Sequence, residues 1–185
     1  MRSNKGFSMT TQQLTRIGLM AALVFVSNYF FIRITLPLGV TRLHLGNACV
    51  LLSGFYLGGL PGGFAAGIGA ALFDLLSPGG EYIKDAPITF AMRFLMAFTA
   101  GAISRVLRQR MKEIWANGLA ALAASLLYVL MYMGKTYIGA ILLGSVAETA
   151  MVLTLQKGAL SLVNAAIGIG LAAPLSLLRL PGRSR

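Results

Sequence analysis

Residues able to do chemistry are few in this chain: one histidine (His44), one cysteine (Cys49), five acids and sixteen lysines and arginines among 185 residues. Those grouped closely enough to work together begin with Arg42, His44 and Asn47 in the run Arg42-Leu43-His44-Leu45-Gly46-Asn47. Asp74, the stretch from Glu81 to Asp85 with Tyr82 inside it, and Arg93 follow; then come Tyr132, Lys135, Glu148, Lys157 and Asn164. Nearly all stand within or beside strongly apolar runs, where polar groups are expensive and mark a site or a partner. Together they describe a polar pocket whose cations and amides suit a carboxylate, a phosphate or a carbonyl-rich ring. Tyr82, Tyr132 and Tyr137 either stack on a flat ligand or anchor at the membrane interface. The competing account of the charges is internal pairing, Arg93 with Asp74 and Lys157 with Glu148.

Engines of catalysis or energy conversion are missing. Gly134-Lys135-Thr136 matches the tail of a phosphate-binding loop, but the position of that motif's first glycine is Val129 and no strand precedes it. Gly67-Ile68-Gly69 and Gly168-Ile169-Gly170 lie in apolar runs and read as packing glycines. No serine has a nucleophile's context beside the lone histidine, and one histidine, one cysteine and scattered acids do not make a metal site. Cys49 stands alone and reads as a small packing residue. The chain is expected to be no enzyme, to bind no metal and to carry no cofactor of its own.

The elements that must position these residues follow from composition. Hydrophobic residues make up 57% of the chain and charged residues 11%, with a mean hydropathy of +0.77. Soluble domains carry about 25% charged residues, so too few remain here to coat one. The expectation is an all-α integral membrane protein, a compact bundle of six transmembrane helices forming one domain over residues 1–185. Spans are expected at about residues 14–32, 43–59, 61–77, 88–107, 116–138 and 158–178. Residues 139–157 read as a loop with some helix, and Gly58-Gly59-Leu60-Pro61-Gly62-Gly63 as a tight turn between two short spans. The net charge of +11 sorts by loop. Three groups fall on one side: Arg2, Lys5 and Arg16; the cluster from Arg105 to Glu113; and Arg179, Arg183 and Arg185, together +9. Positive loops stay inside, so both termini are expected in the cytoplasm and the charge is topological rather than a sign of nucleic acid. No signal peptide is evident before the first span.

Small residues spaced by four, such as Gly18/Ala22, Gly54/Gly58, Gly63/Gly67 and Ala97/Gly101, allow helices to approach closely. Within this frame, Leu14-Thr15-Arg16-Ile17-Gly18-Leu19-Met20-Ala21-Ala22-Leu23 resembles the first helix of the substrate-binding S components of energy-coupling factor (ECF) vitamin transporters. The run from Arg42 to Asn47, Leu57-Gly58-Gly59, the segment from Gly67 to Leu76, and Ala86-Pro87-Ile88-Thr89-Phe90 are similar to the following helices of that family. The resemblance implies a bacterial plasma-membrane protein that binds a vitamin or precursor near the outer face. Its implied partners are a transmembrane coupling protein and two ATPase subunits, which hold the ATP, and delivery is by toppling in the bilayer. It also implies that Gly18 and Ala22 form the small pair that docks the coupling protein, in place of the family's alanine pair. The vitamin stays open among the pyrimidine precursor of thiamin, pyridoxine, pantothenate, folate, cobalamin and riboflavin. The alternative is a stand-alone small-solute channel or secondary porter, which would need a polar path through both halves of the bundle.

Overall fold

The computed structural model describes residues 10–37, 39–80 and 82–178. Helix α1 (Thr11–Ser27) opens with a reciprocal cap: the Gln13 N–H donates to Thr10 Oγ1 at 3.3 Å, and the Thr10 N–H donates to Gln13 Oε1 at 3.1 Å. An antiparallel hairpin follows, β1 (Phe31–Leu36) and β2 (Gly39–His44), with Phe31 opposite His44 and Arg33 opposite Arg42. Then come α2 (Gly46–Leu57), α3 (Gly59–Leu75), two single helical turns (Pro78–Gly80 and Ile83–Asp85), α4 (Ala86–Leu107), α5 (Glu113–Leu142) and α6 (Ala147–Leu175).

Three of these helices, α4 with its preceding turn, α5 and α6, are long and apolar enough to cross a membrane; α2 and α3 are shorter. Helix α2 is the hub, packed by α1, α3, α4 and α6. Its Asn47, Val50, Leu51 and Ser53 are fully enclosed, which explains a sequence apolar on nearly every face. The core is built from small side chains, with Ala65, Ala66, Ala97, Ala100, Ala120, Ala121 and Ala124 completely buried. Phe90, Phe94 and Phe98 stack along α4 at 6.1 and 6.0 Å and lie against Gly67, Gly63 and Gly59 of α3, one glycine per ring. Backbones also meet directly: a Cβ at Gly101 would stand 2.6 Å from the Gly54 carbonyl oxygen and 2.7 Å from the Gly59 nitrogen. In lipid, where the hydrophobic effect does not drive helices together, such close approach supplies the association.

Several boundaries differ from the sequence expectation. The first span ends at Ser27 rather than residue 32, and the second starts at Gly46 rather than residue 43, because residues 31–36 and 39–44 pair as strands. Backbone polar groups there are satisfied by each other instead of by a helix. Residues 139–157 are not a loop: α5 runs on to Leu142 and α6 begins at Ala147. The reversal is compressed around Gly144, whose φ of +85° is a conformation that favours glycine just past a helix end. Gly58, at φ +87°, makes the turn between α2 and α3 in the same way. The terminal charges Arg2, Lys5, Arg179, Arg183 and Arg185, and also Glu81, lie outside the described residues.

At the end of the bundle away from the hairpin, a polar network ties three helices. Asn117 Oδ1 accepts from Ser104 Oγ (2.6 Å) and from Arg108 Nε and Nη2 (3.0 and 2.9 Å). Its Nδ2 donates to Ser176 Oγ at 2.6 Å, and Arg108 also pairs with Glu113 at 3.2 Å.

Candidate substrate-binding site

A cavity of about 420 Å³ opens at the hairpin end, within the ~300–1,000 Å³ typical of small-molecule sites. Strand alternation aims one face of the hairpin at it: Arg33, Arg42 and His44 share a face with Phe31. Helix α5 adds Tyr128, Tyr132 and Lys135, and α6 adds Lys157, Ser161 and Asn164, both sets at intervals of three or four that keep them on one side. Asn47 comes from α2, Asp74 from α3, Tyr82 and Asp85 from the connection, and Arg93 from α4.

The structure thus brings together Arg42, His44, Asn47, Asp74, Tyr82, Arg93, Tyr132, Lys135, Lys157 and Asn164. Glu148 does not join them; it is exposed in the first turn of α6, a consequence of that helix starting eleven residues earlier than its expected span. Tyr137 faces elsewhere on α5. Asp85, the end of the polar stretch picked out in the sequence, lines the cavity too, and the lining residues that sequence reasoning missed include Tyr128, Thr89, Ser161, Asn28 and Arg33. Helical spacing from Tyr132 and Lys157 points to Tyr128 and Ser161. Arg33 and Asn28 need the hairpin and the true end of α1.

The ion pairs of the competing account do not form between the described residues. Between described residues two pairs form, Lys135 with Asp85 at 2.7 Å and Arg108 with Glu113; neither Arg93–Asp74 nor Lys157–Glu148 is made. Arg93, only 5% exposed, donates through Nη1 to Asn47 Oδ1, and its guanidinium lies 4.3 Å from the Tyr128 ring centre. Arg42 stands over Tyr82 at 3.8 Å and also faces Phe31 and Phe73. That placement relieves the like-charge opposition of Arg33 and Arg42 across the hairpin. Tyr128 and Tyr132 stack at 6.1 Å and 13°, making an aromatic wall.

Asn164 acts on the hairpin backbone: its Oδ1 accepts from the His44 N–H at 2.9 Å and its Nδ2 donates to the Arg42 carbonyl at 2.8 Å. His44 Nδ1 accepts from the Gly46 N–H at 3.1 Å, which assigns the proton of a neutral ring to Nε2. His44 lies in the hairpin, outside the helical spans, and is held neutral, its pKa pushed down to about 3 by desolvation first and by Arg93 and Arg42 second. Its Nε2 is 3.4 Å from Arg93 Nη2, so two N–H donors converge on one region. Asn47 Nδ2, wholly buried, is a third donor and has no partner among the described residues. Such an array is complementary to a ligand edge rich in acceptors.

Over residues 8–179 the chain matches the family described as the ECF-type riboflavin transporter, S component. It belongs to that family. The S-component fold is also that of a solved structure described as "Structure and mechanism of the S component of a bacterial ECF transporter". The two are 19% identical with a TM-score of 0.52, over 89% of this chain and 97% of that one. No curated protein matches the chain. As an S component it is a multi-pass membrane protein and the substrate-binding subunit of an ECF transporter, not an enzyme. Among the described residues no group of three or more His, Cys, Asp or Glu gathers to hold a metal ion.

On α1, Gly18 has open space around it and Ala22 is exposed, both turned away from the buried face of Ile17, Met20, Ala21 and Val24.

Proposed function

We propose that this S component binds riboflavin in the hairpin-end cavity and delivers it to the cytoplasm of a bacterium through an ATP-driven ECF transporter. The observation that carries the reading is the donor array of Arg93, His44 and Asn47 beside the Tyr128–Tyr132 wall, in a chain of the riboflavin-type family. An isoalloxazine ring is flat and aromatic and presents two carbonyl oxygens and ring nitrogens along one edge, so the wall takes its face and the donors take its edge. Asp74 and Thr89, which also line the cavity, supply polar partners for the ring N–H or for a ribityl hydroxyl.

Delivery requires partners, since the chain holds no nucleotide-binding motif. The exposed small pair Gly18 and Ala22 supports docking of a transmembrane coupling protein on α1, with two ATPase subunits behind it. Outward leucines on every long helix, among them Leu119, Leu126, Leu155 and Leu162, give the body an apolar exterior that can turn in lipid with few charges to desolvate.

Titration of the purified chain with riboflavin, followed by quenching of flavin fluorescence, tests the reading. Saturable one-to-one binding is expected, with uptake into proteoliposomes only when the coupling protein, the ATPases and ATP are present. Absence of flavin binding, or flavin uptake by the chain alone without ATP, overturns it.

A further inference from the structure

We infer that the preferred ligand is a phosphorylated flavin, riboflavin 5′-phosphate, with its ring at the Arg93 end of the cavity and its phosphate between Lys135 and Lys157. The ring assignment rests on the riboflavin reading above; the phosphate rests on the charges of the cavity. Among the described lining residues five cations, Arg33, Arg42, Arg93, Lys135 and Lys157, face two acids, Asp74 and Asp85. Between these cations and the described acids one ion pair forms, Lys135 with Asp85 at 2.7 Å. Arg42 and Arg93 rest on aromatic faces and on Asn47. Lys157 is half-buried, makes no ion pair with an acid among the described residues, and lines the same cavity as Lys135. Gathering this much unbalanced positive charge in a partly enclosed cavity is costly unless the ligand neutralises it.

The cations are separated along the cavity in a way that matches a ligand with two ends. Lys135 is seven residues beyond Tyr128 on α5, about 10 Å along the helix axis. Gly158 packs on Met133, which sets Lys157 of α6 level with Lys135. The aromatic wall and donor array therefore lie deep and the paired lysines lie toward the mouth. A flat ring joined by a polyol chain to a terminal phosphate spans that interval, and two ammonium groups suit a dianionic phosphomonoester better than a neutral hydroxyl.

Dissociation constants of riboflavin and riboflavin 5′-phosphate for the full chain in zwitterionic nanodiscs, measured at low and high salt, test the inference. The phosphate ester is expected to bind about 10-fold tighter at low salt, and its advantage to shrink near 1 M salt, where the screening length falls to about 3 Å. Lys157→Gln and Lys135→Gln lower the ratio of the two constants. Asp85→Asn, which frees Lys135 from its ion pair, raises it, a direction that misfolding does not produce. Equal or tighter binding of riboflavin, or a ratio indifferent to salt and to all three substitutions, overturns the inference while leaving the riboflavin reading intact. Failure of both flavins to bind overturns that reading, and this inference with it.

Discussion

Two arginine–asparagine pairs sit at opposite ends of the bundle and have opposite fates. Asn117 spends its oxygen on Ser104 and Arg108 and its nitrogen on Ser176, while Arg108 has Glu113 as well. Asn47 shares the motif but not the closure: Arg93 reaches it, its own nitrogen is left over, and Arg93 has no carboxylate partner among the described residues. A buried polar network that satisfies every member rigidifies a fold, whereas one left open costs free energy until something completes it. That contrast supports the proposed ligand role of the pair at the hairpin end and a scaffold role for the other.

The sharpest way to break this contrast is Arg93→Met. Flavin affinity should fall by about 100-fold, equivalent to ~2.7 kcal/mol, while the midpoint of thermal unfolding changes little, because removing a buried charge that has no acid partner among the described residues offsets the loss of the Asn47 hydrogen bond. A fall in both would place Arg93 with the scaffold. Asn117→Ala should do the reverse, costing about 2–3 kcal/mol of stability by taking the acceptor from the buried Ser104 hydroxyl and cutting the links to Arg108 and Ser176, with the affinity of the folded fraction within twofold. Unfolding by heat and flavin titration on the same preparation separate the two.

Glycines sharpen the comparison next. Gly101→Ala should lose about 1–3 kcal/mol, since backbone rather than a flexible side chain blocks the added methyl. Gly18→Leu should leave folding and flavin binding unchanged, because Gly18 meets nothing within 4 Å, yet reduce ATP-dependent uptake with the coupling protein. Uptake equal to wild type would remove α1 from the docking surface.

Asn164→Ala releases the hairpin from α6. Amide exchange at His44, whose N–H donates to Asn164, should quicken by about 10-fold, with flavin dissociating faster as the β2 wall loosens. Unchanged exchange at that amide would show that the hairpin is held by its own ladder. The smallest effect concerns pH. His44, at a pKa of about 3, stays neutral in the folded chain, whereas an unfolded histidine titrates near ~6.5. Folding therefore disfavours its protonation: the associated stability is whole above pH 6.5 and is lost progressively as pH falls below it. Flavin affinity should be flat within twofold from pH 5.5 to 8, and a step centred near 6 that vanishes in His44→Gln would contradict the neutral assignment.

The glycine turn at Gly58, the long apolar helices and most of the polar residues that line the cavity were legible in the sequence, because a bilayer penalises stray polar groups so heavily that those present are informative. The hairpin was less so. Phe31-Ile32-Arg33-Ile34-Thr35-Leu36 alternates and is rich in β-branched residues, with Pro37 and Gly39 beyond it, yet so short an apolar run also fits a helix end. Residues 139–157 misled for a related reason. A helix can continue past the hydrocarbon where water satisfies its last turns, so span length does not mark its end.

Sequence alone determined that this chain lives in a membrane, which residues are costly there and which family it resembles. Tertiary structure decided how the costly residues are used: that Arg93 turns to Asn47 and Tyr128 rather than to Asp74, that Asn164 holds the hairpin, and that Lys135 rather than Lys157 takes the nearby acid. Residue type sets the cost of burying a charge, but its partner is chosen by distances of a few ångströms between side chains on different helices, and only the packed bundle fixes those.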